Sequence, residues 1–405
     1  METWATTSVA DCLVPVAVAG KSKVQSRDYK LAGRFPVIDQ GQEQIAGWTD
    51  DASAVIDAPL PLVVFGDHTR AFKFVDAPFA RGADGTQLLR PKADIDPLFF
   101  FYACRSIDLP ARGYNRQVAV QKKNELSYPM GGDEQKAIAG VLRQTESALQ
   151  KQFELLQTLQ ELKQASMREL FTRGLRGEAQ KDTEIGLVPE GWNVGSFADV
   201  REWLQYGTSV HCSLQKKSYP VLRIPNVEPG KVNDTELKYC DLSDAEAGKY
   251  LLQNGDLLFI RTNGVLDRLG SCAVYDGQPE KALFASYLIR ARLKPDIDPR
   301  FVAYFYASSL GTSLVAGRAT PAADGKYNLN TGTIDSLPLP LPATLDEQCE
   351  IVAILDALDR KIALHRQKRT VLEELFQSLL HKLMTGEIRV GDLDLSALAP
   401  RPAAA

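Results

Sequence analysis

The chain has 405 residues, 44% hydrophobic and 24% charged, with 29 Gly and 22 Pro, which is globular composition and excludes disordered and collagen-like classes. Lys plus Arg number 47 against 51 for Asp plus Glu, a net charge of -4, so no chain-wide positive field draws in nucleic acid and such contacts must come from local patches. At about 150 residues per domain, the length predicts two or three domains, each with its own core.

From the N-terminus, the run Ser8 to Gly20 is apolar but interrupted by Asp11 and Pro15, with Glu2 and no basic segment before it. It reads as folded structure and not as a signal peptide. No stretch reaches the roughly 18 to 20 apolar residues of a membrane span, so no membrane partner is expected and the expected location is the cytoplasm. The cysteines at 12, 104, 212, 240, 272 and 349 form no Cys-x-x-Cys pair, which predicts buried free thiols in a reducing compartment. The four histidines (68, 211, 365, 381) lack metal-ligand spacing, and neither a metal nor a cofactor is expected.

The chain repeats itself in order. Trp4, Ser8, Ala10 and Asp11 match Trp192, Ser196, Ala198 and Asp199. Phe-Pro-Val-Ile at 35–38 matches Tyr-Pro-Val-Leu at 219–222, and DIDPLFFFYA from Asp94 matches DIDPRFVAYFYA from Asp296. Tyr114-Asn115 then matches Tyr327-Asn328, and DEQKAIAGVL from Asp133 matches DEQCEIVAIL from Asp346. Fixed anchors with drifting offsets are the mark of a copied unit whose surface loops have diverged.

Each copy reads as an α+β unit, β-rich with a long helix behind it. Short apolar runs at Leu60–Phe65, Tyr219–Ile224 and Asp256–Ile260 lie between Gly, Pro, Asp and Asn, the punctuation of strands and turns. A helix is predicted after each DIDP, capped by Asp96 or Asp298 with Pro97 or Pro299 at its first position. The boundaries follow: a globular part at 1–129, a long helix at 130–176, a linker at 177–191, a second globular part at 192–342, a second long helix at 343–390 and a flexible tail at 391–405.

The second long helix places Ile351, Leu355, Leu358, Ile362, Leu372, Phe376 and Leu379 at heptad positions, broken by His365 and Arg369. Ile138, Leu142, Leu149, Leu156 and Leu159 hold the same register in the first, interrupted by Thr145 and Gln152. Neither seam can be buried alone, so the two helices are expected to form an antiparallel coiled coil with pseudo-two-fold symmetry. A helix from Asp133 to Leu170 would be a rigid spacer about 57 Å long. Asp133 or Asp346 and the following Glu are read as N-terminal capping groups.

No catalytic constellation is present. Glu134-Gln135-Lys136 fits part of a metal-dependent nuclease site, but it opens a helix and the second copy has Cys349 in place of the lysine. A methyltransferase would need a glycine-rich cofactor turn and an Asn/Asp-Pro-Pro-aromatic loop, which are missing. Loop residues suited to DNA contact are Arg112, Tyr114, Asn115, Arg116, Gln117, Lys122 and Lys123 in the first copy. In the second they are Arg223, Arg261, Thr262, Asn263, Lys326, Tyr327, Asn328 and Asn330. Arg can grip guanine, Asn or Gln adenine, and Lys phosphate.

The duplication, the Asp-Glu-Gln after a Pro-rich approach (Tyr128-Pro129, and Leu337 to Pro342), the linker KDTEIGLVPEGW, GDLLFIRTNG at Gly255 to Gly264 and KYNLNTGTIDSLPLP belong together. In that order they resemble the specificity subunit of type I restriction-modification enzymes. The resemblance implies two target recognition domains, each reading one half of a split sequence on double-stranded DNA. It also implies a helix pair that sets the gap and docks two methyltransferase subunits, with restriction and motor subunits joining the complex and catalysis left to these partners. The alternatives are a specificity subunit of a modification-only complex, or a coiled-coil adaptor that binds proteins.

Overall fold

The computed structural model describes residues 3–18, 21–82, 85–108, 124–322 and 325–394. The chain divides into two compact units, one of residues 1–154 with 367–405 and the other of residues 155–366.

In the first unit Trp4–Ser8 pairs antiparallel with Glu125–Pro129. A four-stranded antiparallel sheet runs in the order Leu13–Val14, Thr86–Pro91, Leu62–Gly66, Phe72–Val75. Leu62–Gly66 is buried throughout, which explains its unbroken apolar sequence. A three-stranded sheet centres on Phe35–Ile38, antiparallel to Gly47–Thr49 and parallel to Ala80–Arg81.

The second unit has the same pieces in the same order. Asn193–Ser196 pairs with Pro338–Leu341. Its main sheet runs Arg201–Tyr206, Leu288–Leu293, Leu257–Ile260, Cys272–Val274, and is then extended by Gly230–Val232 and Val227–Glu228 to six strands. A three-stranded sheet centres on Tyr219–Leu222, antiparallel to Lys238–Cys240 and parallel to Leu283–Phe284.

The DIDP helices start as the sequence predicts. Asp96 Oδ1 accepts from the N–H groups of Leu98 and Phe99 at 3.0 and 2.9 Å, and Pro97 opens Pro97–Ser106. Asp298 Oδ1 accepts from Arg300 N–H at 2.8 Å, and Pro299 opens Pro299–Ala307. Both helices are apolar on all sides and almost wholly buried, as expected of a helix covered on every face. A second helix, Ser309–Ala316, follows in the second unit without a counterpart among the described residues of the first.

The long helices span Gly132–Arg173 and Leu345–Met384. Their Asp-Glu-Gln openings work differently from the expected caps. The capping side chain of the second is Thr344, whose hydroxyl accepts from Glu347 N–H at 3.3 Å, while Asp346 lies inside the helix. Asp133 is likewise inside the first turn, where the acidic groups favour the positive helix end.

The decisive residue is the glutamine. Gln135 is fully buried, its Oε1 accepting from Asp96 N–H at 2.6 Å and its Nε2 donating to the carbonyls of Asp94 and Pro129 at 3.1 and 2.8 Å. Gln348 does the same in the second unit, accepting from Asp298 N–H at 2.9 Å and donating to Asp296 O at 3.3 Å. The two repeated motifs are thus the two halves of one latch, with DIDP presenting backbone groups that the glutamine amide satisfies. Gln135→Ala and Gln348→Ala each strand buried backbone groups and are expected to cost about 1–3 kcal/mol. Urea denaturation checks this; an unchanged midpoint would mean that the latch contributes nothing.

Within each unit, the start of one long helix packs on the end of the other. In the first unit Ile138 and Leu142, with Leu149 at the margin, share a core with Phe376, Leu379 and Leu383. In the second, Leu156 and Leu159 pack with Ile362, and Met167, Leu170 and Phe171 share a core with Ile351 and Leu355, flanked by Leu358. Lys163 Nζ reaches Asp359 Oδ1 at 2.6 Å, so the contacting stretches run antiparallel. Leu372 is buried too. The interrupting Thr145 is buried, returning its hydroxyl to Val141 O at 2.9 Å, a helix-internal bond that lets a polar residue sit in an apolar seam.

Candidate nucleic-acid interface

The two loop segments singled out in the second copy meet in space. Thr262–Asn263 and Tyr327–Asn328 form an antiparallel pair, Thr262 opposite Asn328 and Asn263 opposite Tyr327, and Thr320–Pro321 adds a third strand on the other side of Tyr327–Asn328. The ribbon is anchored by Leu329, which is buried and donates its N–H to Arg261 O at 2.7 Å. Lys326 is exposed at the hairpin end, its carbonyl accepting from Ala322 N–H at 2.7 Å. A narrow ribbon carrying amide, hydroxyl and cationic groups is one of the two elements that fit the major groove of B-form DNA.

Arg261 sits where the buried strand Leu257–Ile260 runs out into the ribbon. Its guanidinium carbon lies 4.9 Å from the centroid of the Tyr206 ring, and Nη1 donates to Ser286 O at 3.4 Å. Its backbone N–H bonds to the carbonyl of Tyr287, whose side chain is 58% exposed. Tyr206 is also exposed, and its hydroxyl accepts from Thr331 N–H at 3.2 Å. A guanidinium resting on an aromatic face is held in orientation without consuming all its donors.

Beneath this surface lies a buried ion cluster. Asp256, 1% exposed, accepts from Arg292 Nε and Nη2 at 2.8 and 2.9 Å and lies 3.6 Å from Arg290 Nη1. The Arg290 guanidinium lies 4.6 Å from the Trp203 ring and 5.0 Å from Phe284, and also bonds to Gln205 Oε1. Burial lowers Arg290 to about 10, against the pull of Asp256, which leaves it charged at neutral pH. The cluster ties the strand that ends in Tyr206 to its neighbours in the main sheet.

The remaining candidates stand differently. Arg223 is tied to another part of the unit, donating from Nη2 to Glu236 O at 2.6 Å, with its backbone N–H on Asn226 Oδ1 at 3.0 Å. Asn330 caps the short helix Thr331–Asp335, its Oδ1 accepting from Thr333 N–H at 2.8 Å. Arg201 holds the end of that helix through Asp335, both contacts at 2.8 Å. Asn263 Oδ1 is engaged by Val265 N–H at 2.9 Å. Arg112, Tyr114, Asn115, Arg116, Gln117, Lys122 and Lys123 lie outside the described residues.

Glu134 and Lys136 flank the buried Gln135 on a helix turn and do not converge on one point. Among the described residues no group of three or more His, Cys, Asp or Glu is placed to hold a metal, and no helix is long and apolar enough to cross a membrane. The thiols differ from expectation, since Cys349 is exposed and Cys212 half-buried while the other four are buried. Tyr206, Tyr287 and Ser286 were missed because they lie far from Arg261 along the chain and carry no signal of their own.

Residues 189–374, which contain the whole ribbon and the ion cluster, match the family model for the type I restriction modification DNA specificity domain. Residues 189–374 thus carry a type I restriction modification DNA specificity domain. It is 30% identical over 207 residues to a Methanocaldococcus jannaschii protein named as the MjaX type I restriction enzyme specificity subunit, covering 51% of this chain and 48% of that protein. It is also 30% identical over 203 residues to the EcoKI specificity subunit of Escherichia coli K12, covering 48% of this chain and 42% of that one. The aligned part therefore spans just under half the length of these curated relatives. In fold, the chain is similar to the type I S subunit from M. genitalium, with a TM-score of 0.59 at 15% identity over 94% of this chain and 96% of that one.

Proposed function

We propose that this chain is the DNA-reading, non-catalytic subunit of a type I restriction-modification complex, and that each unit reads one half of a split target. The observation that carries the reading is the ribbon of Thr262–Asn263 against Tyr327–Asn328, with Arg261 laid on Tyr206 at its base. It gathers groups that discriminate base edges onto an element of groove width. The same strand orders in both units, and the same glutamine latch, support descent from one copied reader.

The paired long helices act as an antiparallel coiled-coil spacer between the readers and as the dock for two methyltransferase subunits, through which restriction and motor subunits join. With a net charge of -4, the chain alone makes few phosphate contacts and binds DNA weakly and salt-sensitively. Partners that wrap the duplex supply the rest of the grip.

Arg261→Ala is expected to relax one position of one half-site, with a loss of discrimination of about 1–3 kcal/mol. The check is a methylation map of cells that carry the variant with its methyltransferase. A uniform fall in methylation at every site would reassign Arg261 to a phosphate.

A further inference from the structure

Two thiols in the second unit face each other across a strand pair. Ser213 and Tyr239 form an isolated antiparallel bridge and exchange both backbone hydrogen bonds, at 3.0 and 2.8 Å. One residue along, that register sets Cys212 directly opposite Cys240 in a non-hydrogen-bonded pair. Cα atoms at such a position come within about 4.5 Å, inside the roughly 4.4–6.8 Å that a disulfide spans. The two side chains belong to one apolar cluster with Tyr219, Val221 and Leu283.

The pair is also asymmetric. Cys212 is half-buried and within 3.3 Å of Val210 O, whereas Cys240 is fully buried. Burial raises both thiols, Cys240 to about 11, but Arg223, Lys238 and Lys217 pull Cys212 back toward the thiolate. An accessible thiol with cations nearby and a second thiol behind it has the layout of an attacking and a resolving cysteine.

We propose that Cys212 and Cys240 form a reversible disulfide that staples the segment after Tyr206 to the strand Lys238–Cys240. The Cys212 thiolate attacks one sulfur of a small-molecule disulfide and displaces one thiolate. The Cys240 thiolate then attacks the Cys212 sulfur and displaces the second. Two electrons pass to the reagent, and the two protons released by the cysteines end on the two small thiols. The staple fixes residues 207–212, which lead directly from Tyr206, the ring beneath Arg261. In the oxidised chain that support is locked; in the reduced chain it rests on the Thr208–Ala285 and Ser213–Tyr239 bridges and the apolar cluster.

The test uses the full chain with Cys349→Ser, which removes the exposed competing thiol. The chain is fully reduced, treated with glutathione disulfide and mapped by non-reducing peptide mass spectrometry. The expected result is a linked Cys212–Cys240 peptide with the loss of two thiols per chain, reversed by dithiothreitol. Cys240→Ser is expected to stop at a glutathione adduct on Cys212, and Cys212→Ser to leave Cys240 unmodified. Hydrogen exchange at residues 207–213 is expected to slow on oxidation. A lasting glutathione adduct on Cys212 beside a free Cys240, or two untouched thiols under conditions that modify Cys349 in the unsubstituted chain, would overturn the proposal. These readouts involve no DNA and are independent of the proposed reading function.

Discussion

Asp256→Ala is expected to lower the unfolding free energy of the second unit by about 3–5 kcal/mol, because it leaves the buried Arg290 and the half-buried Arg292 without their counter-charge. Arg290 is 4% exposed and Arg292 rests on the Trp203 ring at 4.8 Å, so neither guanidinium regains full hydration when the carboxylate is lost. The backbone N–H of Gln253, which donates to Asp256 Oδ2 at 2.8 Å, is stranded as well. Adding Arg290→Met to Asp256→Ala is expected to recover part of the loss, since an apolar side chain of similar length suits the space between Trp203 and Phe284. Urea unfolding followed by far-UV circular dichroism checks both variants. A single substitution that costs less than about 1 kcal/mol would mean that water already screens the cluster.

The second large effect is expected at Trp192. It is 1% exposed, stands edge-on to Phe301 at 5.8 Å, and donates from Nε1 to Glu347 Oε1 at 2.9 Å. It thereby joins the beginning of the second globular part to the first turn of the second long helix. Trp192→Ala removes this plug from the core and is expected to cost about 3–5 kcal/mol. Trp192→Phe keeps most of the apolar area but loses the indole donor, and is expected to cost about 1–2 kcal/mol. The same denaturation experiment separates them. Equal losses for the two variants would show that the hydrogen bond to Glu347, and not the packing, carries the joint.

What the sequence made legible was local. DIDP announces its helix because an Asp cap and a Pro at the first helical position act within three residues, and both helices begin there. Leu62–Gly66 and Leu257–Ile260 announce buried strands because a fully covered strand has no polar alternation. The apolar rows of the long helices were legible for the same reason, as the period sets the buried face. What stayed hidden depends on partners distant in sequence. Gln135 and Gln348 look like ordinary polar residues in an opening helical turn, and only the joint recurrence of DIDP and Asp-Glu-Gln hinted that one motif answers the other.

At the candidate interface, Arg261, Thr262 and Asn263 were singled out by residue type, as were Lys326, Tyr327 and Asn328, and the ribbon brings both sets together. Residue type could not tell a base-reading amide from a structural one. Asn330 was chosen on the same grounds as Asn328, yet its oxygen is committed to a helix cap. Nor could it find Tyr206, which supports Arg261 from another strand. In the sequence Cys212 is one of six scattered thiols, whereas the strand register sets it opposite Cys240, across a bridge that no spacing rule anticipates.

The most direct test of the two-reader proposal is a genome-wide methylation map made with the cognate methyltransferase, comparing the native chain with one whose residues 1–129 are exchanged for another reader. The account predicts a two-part methylated motif in which one part changes while the other part and the gap are retained. Simultaneous alteration of both parts, or methylation that follows no sequence, would contradict it.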